Sequence, residues 1–343
     1  MNILLVVSEN QGDGKTAISL TLAHQVANLG KKVTVIKPFG SKNELGDDSD
    51  LSVFASLVGS NPPEWPMELP ESGLIDGRGK PYKALKDVKN ELTKIAQRHD
   101  LVIVEISSKM PQEEQVGIAE FLEAKVLAVI RHKHALKTKK IKQHLVSFGQ
   151  NLSGVLINAR TKYTSHEVQT SFIPELEDLN IKVFGTIPED RKLLSATVDQ
   201  VVEHLNGEYF LKINERSSEL IENFLVGGWT MDDGSLYFST KDNKAVITRG
   251  DRPDLQMSAL NTKTACLIMT KGINPIEYVE YEAQEEGVSI VVVDKDTLNT
   301  MESLDSLINV AKFDHKLKLE RLHELIQSEV DSNSLLDAIG IAS

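Results

Sequence analysis

Cysteine is nearly absent from this chain: Cys266 is the only one. That excludes an internal disulfide and suits a reducing cytoplasm. A basic excess is also missing. The formal net charge is −12 at pH 7, which argues against general nucleic-acid binding, because such binding needs a basic surface. No apolar run is long enough to span a membrane. Met1-Asn2 leads straight into a short apolar run with no basic flank and no cleavage site, so no signal peptide is expected either. What is present is ordinary globular composition, 41% hydrophobic and 26% charged over 343 residues. That length supports two domains with real cores.

Residues 8–16, Ser-Glu-Asn-Gln-Gly-Asp-Gly-Lys-Thr, organise the chain. The apolar run 3–7 leads into them, and Ile18, Leu22 and Val26 recur behind them at helical spacing. Strand, glycine loop, Lys-Thr and helix is the layout of a phosphate-binding loop. Gly12 and Gly14 let successive N–H groups turn toward one anion, and the new helix aims its positive end at the same place. Lys15 then reaches the terminal phosphates, and Thr16 holds Mg²⁺ through its hydroxyl. Glu9 stands where the common pattern has its first glycine. A plain strand-to-helix turn is the alternative, but strand, loop and helix all stand where the motif needs them.

Residues 33–36 read as a second strand ending on Lys37, which places that lysine on the ligand-binding edge of an open α/β sheet. The acidic loop Asp47-Asp48-Ser49-Asp50 either lends a carboxylate to Mg²⁺ or caps a helix at Asp50. Residues 60–82, with Pro62, Pro63, Pro66 and Pro70, read as a surface excursion. Residues 100–105 form a buried strand ending in Glu105, a position from which a carboxylate completes the Mg²⁺ shell. Further strands are expected at 126–130, 154–158 and 182–187, with helices at 83–97, 113–122, 136–148, 166–179 and 198–205. Such alternation predicts a mostly parallel sheet with helices on both faces. The cluster Arg131, Lys133, Lys137, Lys139, Lys140 and Lys142 is either a solvated helix face or a surface for phosphate or an acidic partner. Asn158, at a strand end, either reads a purine edge or caps a turn.

A linker is expected near 207–216, dividing the chain into domains 1–207 and 208–320 and a helical tail 321–343. The second domain reads as a smaller α/β unit with strands at 236–239, 244–248, 265–270 and 289–293. The last three run into turns and helices, which predicts a crevice along one sheet edge lined by Arg249, Arg252 and Lys271. At the second turn Asn274 is expected as cap, Pro275 as first helical residue and Glu277 as partner of a capping box. The amphipathic segment 312–329, with Leu317, Leu319, Leu322 and Ile326, serves docking or dimer packing.

Residues 8–16, 33–41 with Lys37-Pro38, and 102–105 together resemble dethiobiotin synthetase and its relatives, including cobyrinic acid a,c-diamide synthase. Residues 240–300, around Ile247-Thr248-Arg249-Gly250-Asp251-Arg252-Pro253-Asp254, resemble the DRTGG domain. The pair in this order is similar to the amino-terminal half of the long phosphate acetyltransferases. The resemblance implies ATP and Mg²⁺ as cofactors, phosphate contacts at Gly14, Lys15 and Thr16, and a metal set of Thr16, Asp50 and Glu105. It places Asn158 against the base. It also matches Lys37 and Ser41 to a lysine and a serine used around a carbamate substrate, and carries over Gly250, Asp251 and Arg252 in the second domain. The synthetase follows its acid with Gly-Ala-Gly-Gly, whereas Glu105 is followed here by Ile106-Ser107-Ser108-Lys109. The acetyltransferase domain is not part of the sequence, so acetyl transfer is not expected.

Two functions follow from this reading. One is an ATP-binding regulatory protein whose second domain senses another anionic ligand or forms a homo-oligomer. The other is an ATP-dependent ligase of the synthetase type, built on Lys15, Lys37 and Ser41. A partitioning-type ATPase is disfavoured, because Asn10 stands where that group keeps a signature lysine.

Overall fold

The computed structural model describes residues 2–39, 69–76, 80–131, 138–228, 234–307 and 313–341. Ser41, Asp50, Lys133 and Lys137 lie outside the described residues, as does most of the proline-rich excursion. The chain divides into two compact units. The first comprises Met1–Asp190 and Phe313–Ser343, and the second Arg191–Lys312.

The first unit is a six-stranded parallel sheet. Its elements run β1 (Ile3–Val7), α1 (Lys15–Asn28), β2 (Val33–Ile36), α2 (Lys83–Ala96), β3 (Leu101–Glu105), α3 (Gln112–Leu122), β4 (Lys125–Arg131), α4 (Thr138–Ser147) and β5 (Leu152–Arg160). A helical stretch α5 (165–177), interrupted by the π segment Val168–Phe172, then leads to β6 (Val183–Pro188). The strand order is β2-β3-β1-β4-β5-β6. β1, β2 and β3 are buried at every position, as continuous apolar runs covered on both faces should be. The chain leaves β1 to one side, returns through β3, and then crosses to β4. The direction of winding therefore reverses beside β1, and the carboxyl ends of β1 and β3 flank the crevice that results. Register fixes the neighbours there: Val6 pairs with Glu105, and Ile36 with Val104.

The second unit holds the short pair β7 (Ala196–Thr197) and β9 (Leu220–Ile221), with α6 (Val198–Leu205) between them. Its main sheet contains β8 (Glu208–Leu211), β10 (Asn223–Gly227), β11 (Lys244–Arg249), β12 (Thr264–Thr270) and β13 (Ser289–Val292), in the order β10-β11-β12-β13-β8. The first four strands are parallel and β8 is antiparallel to β13. The helices α7 (Ser235–Phe238), α8 (Pro253–Leu260) and α9 (Glu277–Glu285) share one core. α6 and α10 (Thr297–Leu307) share the other.

Four expectations are corrected here. Residues 236–239 are a helical turn rather than a strand; Gly234, at φ 79°, starts it, and Phe238 is its buried residue. The strand in that region is β10. The expected linker 207–216 carries β8, whose ladder with β13 makes it part of the sheet. The boundary falls after Asp190, ahead of α6, because Val198, Val201 and Leu205 belong to a core of the second unit. Helix α9 starts at Glu277 with Ile276 as its cap, so Asn274 and Pro275 precede the helix.

The chain then returns to the first unit. α11 (Lys316–Glu329) packs against α1 and β6, and α12 (Ser332–Ile339) against β5 and β6. The expected tail is therefore part of the first unit. Between the two helices Val330 bridges Gly185, and the Asp331 amide donates to the Phe184 carbonyl at 2.8 Å. This covers the open edge of β6. Among the described residues no helix is long and apolar enough to cross a membrane.

Candidate functional site

The loop after β1 is held by its own side chains. The Asp13 carboxylate, buried, accepts from the Asn10 amide at 3.0 Å, and the Ser8 hydroxyl donates to the Asn10 carbonyl at 2.9 Å. Gly14 caps α1 at φ 96°, a left-handed value that glycine takes freely. No side chain caps the helix and its first turn has no acid, so the positive end of α1 faces the loop uncompensated. Lys15 Nζ donates to the Ser8 hydroxyl at 2.7 Å. Burial pulls the Lys15 pKa down; Glu105 and Asp13 oppose that, and Lys37 adds to it.

Thr16, on the first turn of α1, points at the end of β3. Its hydroxyl donates to Glu105 Oε2 at 2.9 Å. The other carboxylate oxygen, Oε1, is buried and has no hydrogen-bond partner. Lys37 Nζ, at the end of β2, lies 4.0 Å from Oε2. A hydroxyl and a half-satisfied carboxylate beside two lysines and an open helix start form an oxygen set for a hard divalent cation next to an anion cradle. These residues fit a Mg²⁺–phosphate group. Among the described residues no cluster of three or more His, Cys, Asp or Glu could hold a metal by itself.

Lys15, Thr16, Lys37 and Glu105 line one cleft of about 410 Å³. The sequence did not point to its other wall, where the Ser107 hydroxyl donates to the Glu71 carboxylate. The two residues are far apart in the chain, and Glu71 sits in an irregular segment with no periodicity to mark it. Ile106 is buried, and its amide donates to the Val6 carbonyl at 3.1 Å. That bond closes the ladder at the Val6–Glu105 pair, and a buried β-branched residue stands where the synthetase resemblance has a glycine loop. Asn158 is half-buried, and its Nδ2 donates to the Asp13 carbonyl at 2.9 Å.

In the second unit the three strand-end turns do lie side by side. The Lys271 amide donates to the Lys295 carbonyl at 2.9 Å, and the Gly272 amide to the Val293 carbonyl at 3.0 Å. The charges of the two arginines there are closed locally, however. Arg249 pairs with Asp251, and Arg252 with Asp254 at 2.7 Å. Hydrogen bonding to these guanidinium groups holds both carboxyls below the usual aspartate value. The buried Gln256 amide donates to the carbonyls of Arg249 at 2.9 Å and Gly250 at 3.1 Å. A Cβ on Gly250 would lie 2.1 Å from the Ile273 carbonyl oxygen, so glycine is required there for close approach. The parallel strands β10 to β13 advance in one direction with α7, α8 and α9 on one face. A polar cavity of about 620 Å³ opens at the opposite sheet end, beside Arg216, Asp242, Asn261 and Lys263.

Comparison with known proteins also divides the chain in two, with the boundary at residues 200–201, inside α6. Residues 200–307 match the DRTGG domain. Among solved structures, the CBS and DRTGG domains of the regulatory region of Clostridium perfringens pyrophosphatase, complexed with the activator diadenosine tetraphosphate, are 16% identical. That match covers 46% of this chain and 74% of that one, with a TM-score of 0.31. The MinC:MinD cell division complex of Aquifex aeolicus is 20% identical over 57% of this chain and 84% of that one, with a TM-score of 0.39. MinD of the same organism is 19% identical at the same coverage, with a TM-score of 0.37. Residues 4–201, more than half of the chain, match the CobQ/CobB/MinD/ParA nucleotide binding domain, and the chain belongs to that family.

Proposed function

We propose that this protein is an ATP- and Mg²⁺-binding regulatory protein, related to the non-catalytic amino-terminal region of phosphate acetyltransferases. The observation that carries this reading is the 2.9 Å contact between Thr16 and a Glu105 carboxylate whose second oxygen is buried without a partner. Leaving such an oxygen unpaired costs about 1–3 kcal/mol, which a cation in the site offsets. Thr16 and Glu105 would hold Mg²⁺, with Asp50 as a third ligand, and Lys15 with the α1 amides would hold the phosphates. Bound Mg²⁺ would neutralise charge on the phosphate oxygens. The DRTGG domain supplies the regulatory part, as a second ligand site or as a homo-oligomer contact. The buried, β-branched Ile106 directly after Glu105 favours this reading over catalysis on a second substrate, because such a residue does not give the backbone approach that a glycine loop gives.

The competing reading is an ATP-dependent ligase of the dethiobiotin synthetase type. It is favoured by Lys37, which stands in the cleft 4.0 Å from Glu105. Calorimetric titration of Mg²⁺–ATP into the full chain tests the main reading. Binding is expected in the wild type and at least about tenfold weaker in Lys15→Ala, the loss of one charge-assisted contact. Equal affinity in the two proteins ends the proposal. ATP turnover that appears only on adding a small carboxylate or amine would move the assignment to a ligase.

A further inference from the structure

Asn158 sits on β5, two strands from β1, with Arg131 as its partner in register on β4. Its side chain nevertheless reaches the phosphate loop. Nδ2 donates to the Asp13 carbonyl at 2.9 Å. A carbonyl only accepts, so this contact fixes which end of the amide faces the loop and turns Oδ1 away. A Cβ built on Gly14 would lie 2.1 Å from the same Nδ2. The amide therefore occupies the space that any larger residue at the α1 cap would need.

The consequence for an anion follows from peptide geometry. The Asp13 carbonyl and the Gly14 N–H belong to one peptide unit, and in a trans peptide they point in opposite directions. Holding the carbonyl toward β5 aims the Gly14 N–H away from β5. The Asp13 carboxylate fixes the same turn from within by accepting the Asn10 amide at 3.0 Å. One side chain from a distant strand thus sets the plane of the peptide that opens α1.

We propose that Asn158 is a positioning residue of the phosphate loop, acting on a bound triphosphate through the Asp13–Gly14 peptide and independently of the base. This rests on the reading of the loop as a nucleotide site. It differs from a base-reading role in what it predicts for a ligand that has no base.

The test uses the full chain, with Asn158→Ala and the isosteric Asn158→Asp, and two ligands with Mg²⁺: ATP and inorganic tripolyphosphate. Both variants are expected to weaken both ligands by the same factor, about tenfold for one lost hydrogen bond, and to leave the ATP-to-GTP preference unchanged. Loss of ATP affinity with tripolyphosphate binding unaltered would make Asn158 a base reader and overturn the proposal. A second measurement needs no ligand. Hydrogen exchange in the free protein at the Asn10 amide, which donates to the Asp13 carboxylate, and at the Ile18 amide, which donates to the Gly14 carbonyl, is expected to speed up by about tenfold in Asn158→Asp, while circular dichroism shows the fold retained. Unchanged exchange overturns the proposal. If the wild type binds neither ligand, the nucleotide reading fails, and the exchange result alone decides whether Asn158 positions the loop.

Discussion

Glu105 carries the most specific expectation at the scale of single residues. Glu105→Gln keeps the shape and the hydrogen bond from Thr16 but removes the charge. The Mg²⁺ concentration needed for ATP binding is expected to rise by about tenfold, as loss of an anionic oxygen ligand to a hard cation requires. ATP titrated without metal is expected to bind the variant better than the wild type, because one carboxylate no longer repels the phosphates. Unchanged Mg²⁺ dependence would remove Glu105 from the metal set. Gly250 gives a second expectation in the other unit. Gly250→Ala places a methyl group 2.1 Å from the Ile273 carbonyl, and overpacking of this kind costs about 1–3 kcal/mol. Thermal unfolding should show the loss in the second unit; an unchanged melting point would mean that the turns separate freely. Arg249 and Arg252 show how far residue type alone carries an argument. The sequence displays the arginines at a strand end, but whether they are open depends on rotamers. Here aspartates two residues on close both of them. Asp251 and Asp254 therefore compete with an anionic effector for these two guanidinium groups.

At the scale of elements, α1 and α11 meet through His24 and His323, whose ring centroids lie 5.5 Å apart. Burial lowers the His24 pKa, His323 lowers it further, and Glu320 opposes them. A histidine that is harder to protonate when folded binds more protons in the unfolded chain. Its contribution to stability is full above its ordinary value of 6.5 and is lost as pH falls through the lower folded value. His144, also lowered chiefly by burial, has the same sign. The first unit should therefore melt lower at about pH 5 than at about pH 8, and His24→Gln should flatten that slope. An identical slope in the variant would show that this contact does not report acidity. β1, β3 and β4 were legible because each carries an uninterrupted apolar run that ends at a polar or charged residue. β8 was not: it is a short edge strand following Asn206-Gly207, with exposed Glu208 and Phe210, so the turn signal outweighed its alternation. Residues 236–239 failed because four apolar-rich residues fit a helical turn as well as a strand. The outer side of α1 was illegible for a different reason. Leu20 and Ala23 are buried along with Ile18, Leu22 and Val26, and that second stripe makes sense only once a helix from the far end of the chain lies over it. In the site, Lys15, Thr16 and Glu105 could be read because local motifs mark them, whereas Glu71 and the contact of Asn158 with the loop depend on pairing across the fold.

The whole molecule is arranged so that the last segment completes the first unit, and this has a consequence for stability. Leu319, Leu322, Leu325, Ile326, Leu335, Leu336 and Ile339 are all at most 6% exposed. Burial of a leucine or isoleucine contributes about 1.5–3 kcal/mol. Together these seven side chains supply about 10–20 kcal/mol as an upper estimate, comparable to or above the roughly 5–15 kcal/mol net stability of a domain. The same segment covers the edge of β6 through the Val330 bridge, so its removal also bares a strand edge. Among the described residues, the cores of the second unit contain none beyond Leu307. A chain ending at Lys312 is therefore expected to lose cooperative melting of the nucleotide-binding unit while the DRTGG unit keeps its own transition. Calorimetry of the truncated and full chains separates the two, and limited proteolysis should then degrade residues 1–190 and leave 191–312 as the resistant fragment. Nucleotide binding should be lost with the first transition, although no residue of the loop, β2 or β3 has been removed. A truncated chain that retains both transitions and binds Mg²⁺–ATP like the full chain would show that α11 and α12 are accessory to the first unit.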